Sequence, residues 1–209
     1  MALRLRSVAV LLALCGLGCA PGMPVETVVS PDFPFASVEG VAVLPLFEWG
    51  VSLRSADSLT AVVADAVRTR LPDGRVIAPD EAARLIGGGG LAYEWALFLH
   101  DWDARNELDR TAVMRVADLL GVDLLIVVDL PEVARQDGSG HDGPPSTVVV
   151  ARIRAFGGAS GILAWYGSAG LELVASPLES DRAPPVVDAA APVVHAILRE
   201  LPPLGSGDG

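Results

Sequence analysis

Residues 116–130 read VADLLGVDLLIVVDL, and two patterns meet inside them. Upstream, Val113, Val116, Ala117 and Leu120 recur at helical spacing, Asp109 is placed to cap the helix start, and Gly121 is placed to end it. Downstream, Val122 to Val128 is an almost unbroken apolar run. Such a run fits a strand buried on both faces, as at the centre of a parallel or mixed sheet. A helix that hands over to a doubly buried strand predicts a sheet with helices packed against it.

Working outward, the N-terminal side repeats the alternation. Val41 to Phe47 is a strand that Pro45 limits to an edge or an end. Leu59, Val62, Val63, Ala66 and Val67 mark a helix, with Ser55 or Asp57 suited to capping and Arg68 and Arg70 near its end. Pro72-Asp73-Gly74 stops it. Arg75 to Ala78 is a short strand, Pro79-Asp80-Glu81 opens a short helix, and the run Gly87 to Gly90 closes that helix. Between Leu91 and Glu107, Leu91, Trp95, Phe98, Leu99 and Trp102 share one helical face.

On the C-terminal side, residues 136–145 form a polar loop. Strands Thr147 to Phe156 and Ile162 to Ala169 are joined by the hairpin signal Gly157-Gly158-Ala159-Ser160-Gly161. A last helix is expected to start at Pro192, with Val194, Ile197, Leu198 and Leu201 inward. The fold class is therefore α/β (mixed α+β): a single mixed sheet of about five strands, with a strand–helix–strand start and a C-terminal hairpin plus helix. No internal repeat is visible.

The first residues belong to a different kind of segment. Met1 to Arg6 is a short positive region, Val8 to Leu14 is apolar, and Gly16-Leu17-Gly18 precedes Cys19. The apolar run falls short of the roughly 20 residues that span a bilayer. Cys15 and Cys19 are the chain's two cysteines, and Cys15 lies inside the apolar leader. The mature chain then has no disulfide. The 209 residues carry a formal charge of −11, with every basic residue an Arg. Losing Arg4 and Arg6 with a leader makes the chain more acidic still, which disfavours a nucleic-acid partner. The expected organisation is a signal peptide over 1–18, a lipidated Cys and flexible tether over 19–38, the α/β domain over 39–202 and a frayed tail over 203–209.

Gly16-Leu17-Gly18-Cys19 resembles the lipobox of bacterial lipoproteins, in which the leader is cut before a Cys that becomes acylated. The resemblance implies attachment to membrane lipid through Cys19, since two or more acyl chains give stable anchoring. It also implies, through Ala20 in place of Asp after the Cys, the outer membrane facing the periplasm. From Val41 to Leu201, the order of the segments VAVLPLF, LTAVVADAVRTRL, VADLLGVDLLIVVDL and ARIRAFGGASGILAWYGS resembles the domain shared by CsgG, LpoB and the amino-terminal part of TolB. The Trp-rich helix stands outside that pattern, and the long pore-forming hairpins of the curli exporter have no counterpart here. The resemblance implies a non-catalytic accessory or assembly role in the cell envelope, exercised through protein–protein contacts with an envelope protein. The alternative is a ligand- or solute-binding envelope lipoprotein, which needs a sizeable apolar pocket with a few convergent polar groups.

The inventory for chemistry is thin. His100-Asp101-Trp102-Asp103 is the one ligand-like cluster. On a helix His100 and Asp103 stand three apart, but a second pair at matching spacing is missing, so no metal is expected. His141-Asp142 lies in the polar loop, and His195 is expected on a helix surface. Ser160 belongs to a hairpin turn, not to the strand–turn–helix of a nucleophile elbow. The run Gly87 to Gly90 lacks the Lys and Ser/Thr of a phosphate loop. Neither catalytic residues nor a cofactor are therefore expected. Trp95, Phe98, Leu99 and Trp102 pose the open question: buried, they are core; exposed, they form a partner-binding patch.

Overall fold

The passage from helix to central strand is built as its residues dictate. In the computed structural model, which describes residues 23–46, 53–105, 107–138, 144–175 and 182–205, Asp109 accepts hydrogen bonds from the Thr111 and Ala112 amides at 2.9 and 3.1 Å. Gly121 ends the helix Arg110–Leu120 in the left-handed conformation, φ 63°. A residue with a Cβ adopts that conformation only at a cost, which is why glycine stands there.

The strands are β1 (Glu26–Val29), β2 (Gly40–Val43), β3 (Arg75–Ile77), β4 (Leu124–Gln136), β5 (Ser146–Gly157) and β6 (Leu163–Val174). They form one sheet in the order β1-β6-β5-β4-β2-β3. β2 runs parallel to both β3 and β4, while β4, β5, β6 and β1 pair antiparallel in turn. The helices are α1 (Leu53–Arg70), α2 (Pro79–Gly88), α3 (Ala92–Arg105), α4 (Arg110–Leu120) and α5 (Val186–Arg199), with a short 3₁₀ turn at Phe35–Ser37.

Alternation along β4 splits the core between the two faces of the sheet. Leu124, Ile126, Val128 and Leu130 point to a larger cluster that includes Leu59, Val63 and Val67 of α1 and Val193, Val194 and Ile197 of α5. Leu125 and Val127 point the other way, into a second cluster with Ile86 of α2, Trp95 and Phe98 of α3 and Val113 and Val116 of α4. The sheet is thus covered on both sides, which accounts for the unbroken apolar character of its central strand.

The expected single mixed sheet of about five strands is observed, with six; β1 lies inside the stretch expected as a tether, and several local expectations are corrected. All four β1 side chains are exposed, so no alternation marked it; it is held by backbone pairing to β6. Nearby, Phe35 and Val38 are buried. Ser55 and Asp57 lie within α1, whose described residues run from Leu53; buried Ala56 extends its inner face backwards. Pro192 lies inside α5, which starts at Val186. Pro192 and Asp188 are both exposed, so the turn that lacks the Pro192 amide lies on the solvent side of the helix. Nor does the chain fray at 203: Leu204 is buried and the Gly205 amide donates to the Phe35 carbonyl at 3.2 Å. Finally, β4 runs past Pro131 because the register shifts between Asp129 and Glu132, and a bulge is where a strand can hold a residue without an N–H. Cys19 and His141 lie outside the described residues.

Candidate functional site: a cleft closed by buried ion pairs

On the α3 face, the inward row of β5 is Phe156, Arg154 and Arg152, opposite Leu125, Val127 and Asp129 of β4 in register. The apolar stripe therefore gives way, within two residue pairs, to charge. Asp129 is 4% exposed, and its carboxylate is fully engaged. Oδ1 accepts from Arg154 Nε at 3.2 Å and Nη2 at 2.7 Å, while Oδ2 accepts from Arg152 Nε at 2.6 Å and pairs with its Nη2 at 2.5 Å. Three N–H hydrogen bonds and one further ion-pair contact thus engage both carboxylate oxygens. A buried charge is tolerable only when paired and hydrogen-bonded in this way.

Arg154 reaches further. Its Nη2 also donates to Asp103 Oδ1 of α3 at 3.0 Å, and its guanidinium carbon lies 5.7 Å from the centre of the Trp102 ring, within cation–π range. Beside this contact the aromatic residues stack into the core. Trp95 and Phe98 ring centres are 4.8 Å apart, and Phe98 and Trp102 each meet Phe156 edge-on at 5.6 Å. So α3 is fastened to the sheet by an aromatic cluster and by one ion pair at its end.

A cleft of about 600 Å³ opens beside this network, between α2, α3, the carboxyl end of β2 and residues 127–129 of β4, just past the stretch that pairs with β2. Its walls are mostly apolar: Pro45, Ile86, Trp95, Leu99 and Val127, with Ala83, Ala92 and Ala96 leaving room between the helices. His100, Asp103, Asp129 and Arg154 supply its polar end. Crevices outside the carboxyl ends of parallel strands are where open α/β sheets commonly hold ligands.

The residues singled out on α3 divide. Trp95 and Phe98 are buried in the second core, while Leu99 and Trp102 are half-buried at its margin; Trp95 and Leu99 also border the cleft. The large hydrophobic side chains that α3 shows to solvent are Tyr93, 80% exposed, and Leu97. The buried Trp95 indole N–H has no hydrogen-bond partner among the described residues. His100 Nδ1 lies 3.3 Å from Asp101 Oδ1, whereas Asp103 turns to Arg154, so the two do not converge. No group of three or more His, Cys, Asp or Glu side chains suited to a metal occurs among the described residues. His195 sits at a more open groove between α1 and α5. Nearby, burial lowers the Arg70 guanidinium pKa, with Glu200 opposing the shift.

The residues that sequence reasoning missed are Asp129, Arg152 and Arg154. A signal existed: ARIRAF places two charges on one face of a strand that is otherwise apolar, and Asp129 ends the apolar run of the neighbouring strand.

No protein-family model matches the chain, and no curated protein matches it significantly. Solved structures do overlap with it. A PelC dodecamer from Paraburkholderia phytofirmans aligns with TM-score 0.48 and 15% identity, over 87% of this chain and 98% of that one. Lipoprotein GNA1162 from Neisseria meningitidis aligns with TM-score 0.47 and 14% identity, over 65% and 83%. The LpoB C-terminal domain from Escherichia coli aligns with TM-score 0.36 and 10% identity, over 68% and 88%. The neighbours thus include bacterial lipoproteins, at similarities too low to assign a function.

Proposed function

We propose that this chain is a lipid-anchored, non-catalytic accessory or assembly protein of the bacterial cell envelope. In this reading, acylated Cys19 holds it to the periplasmic face of the outer membrane, and it works by contacting another envelope protein. One observation carries the non-catalytic part. Apart from His100, the charged groups at the cleft are tied to one another, with both Asp129 oxygens engaged by two guanidiniums and Arg154 held between two carboxylates. Side chains so engaged hold a surface in shape; a general acid or base needs a free position for the proton it moves. The leader that ends at Gly18-Cys19 supports the anchor.

The contact reading is tested by placing a photo-crosslinking amino acid in living cells at Ala96, which is exposed on α3, and in parallel at Arg199 on α5. A discrete protein adduct from Ala96 that is absent from Arg199 is expected. Identical patterns from both positions contradict the reading.

A second reading is favoured by the cleft itself. A concave, mainly apolar space of about 600 Å³ with a cluster of polar groups at one end is the form small-molecule sites take. The chain is then an envelope lipoprotein that binds a ligand, with the same anchor.

A further inference from the structure

Resting on that ligand-binding reading, we propose that the cleft takes an apolar small molecule bearing a single carboxylate, and that this carboxylate replaces Asp103 on Arg154. Three features of the polar end select the head group. First, Arg154 is an anion receptor held in place. Its side chain is 3% exposed, two bonds to Asp129 Oδ1 fix it from below, and Trp102 covers one side of it. Second, both oxygens of Asp129 are engaged by Arg152 and Arg154, so a cationic head has to displace a guanidinium to reach it. Third, Asp103 is the loosest member of the network. Its side chain is 49% exposed, it comes from a helix and not from the sheet, and one bond of 3.0 Å holds it.

The charge balance then decides between modes of entry. Two guanidiniums face two carboxylates. A ligand carboxylate that displaces Asp103 into water leaves two facing two. An anion added without displacement leaves three carboxylates against two guanidiniums, and a cation added beside Asp103 leaves the opposite excess. In a partly desolvated cleft either imbalance is costly, so exchange is the neutral route. The apolar walls, from Ile86 and Leu99 to Val127, receive the rest of the molecule.

The test uses the mature lipoprotein in lipid nanodiscs, with empty nanodiscs subtracted and binding of octanoate, octanol and octylammonium measured by saturation-transfer NMR. Octanoate is expected to bind about tenfold tighter than octanol, as one charge-assisted hydrogen bond implies. Asp103→Asn removes the internal competitor and is expected to tighten octanoate about fivefold. Ala96→Phe fills the cleft away from the ion pairs and is expected to abolish binding of all three probes while the thermal unfolding midpoint stays unchanged. If octanol or octylammonium binds as well as octanoate, or if Asp103→Asn leaves octanoate unchanged or weaker, the carboxylate assignment falls while a ligand-binding cleft stands. If no probe binds, or if Ala96→Phe binds them normally, the cleft reading itself falls.

Discussion

Replacing Asp129 with Ala removes a carboxylate shared by two guanidiniums, and the size of the loss follows from burial. Asp129 is 4% exposed and Arg154 2%, so the substitution leaves the Arg154 charge inside the protein with only the half-exposed Asp103 to offset it. Breaking a buried pair by deleting one partner costs about 3–5 kcal/mol. For a domain of this size each kcal/mol moves the unfolding midpoint by about 2–4 °C, so a drop of roughly 6–20 °C is expected. Asp103→Ala removes an exposed partner of the same Arg154 and is expected to cost about 1 kcal/mol or less. The two variants therefore separate burial from mere ion pairing. The assay is urea unfolding followed by far-UV circular dichroism, with the stability difference read at equal denaturant slope. In the double variant Asp129→Leu with Arg154→Met, much of the loss is expected to return, because the desolvated charge leaves with its partner. Equal losses for Asp129→Ala and Asp103→Ala, or a double variant as unstable as the summed singles, mean that burial does not set the strength of this pair.

Three further outcomes are open to measurement by the same unfolding assay. Trp95→Ala is expected to cost about 3–5 kcal/mol through the cavity it leaves. Trp95→Phe is expected to cost under about 1.5 kcal/mol, because it also removes a buried donor that has no partner among the described residues; equal losses count against the burial of that N–H. Asp109→Ala is expected to cost about 1 kcal/mol through loss of its two cap bonds, with Asp109→Asn close to the parent protein. Gly161→Ala is expected to destabilise strongly, because its φ is 63° and an added Cβ lies 2.5 Å from the Arg110 carbonyl oxygen; an unchanged midpoint contradicts that contact.

Much of the architecture was legible because burial on two faces leaves a continuous apolar run, as in Leu124 to Val128, and because Asp109 and Gly121 bracket a helix by backbone chemistry. What escaped detection lacked such a mark. The four exposed side chains of β1 give an edge strand no periodicity, and its place in the sheet comes from hydrogen bonds that any residue but proline makes. Pro192 misled because a missing amide costs most inside the protein, and here Pro192 and Asp188 both stand on the exposed side of the helix. Leu204 docks through contacts with residues distant in sequence, which local patterns do not encode. At the site, the Trp-rich face was visible as spacing, whereas its division between core and cleft depends on how α3 leans on Phe156. The charged network hid in plain view, since the pairing of Arg152 and Arg154 with Asp129 appears only once β4 and β5 are set in register.

Whether this domain is held to a membrane through acylated Cys19 is read from the mass of the protein extracted from cell membranes. Intact-mass spectrometry is expected to show a chain that begins at Cys19 and carries the added mass of its acyl chains, and a Cys19→Ser variant that lacks this mass and leaves the membrane fraction. A mature chain that begins elsewhere, or one with an unmodified Cys19, contradicts this anchoring.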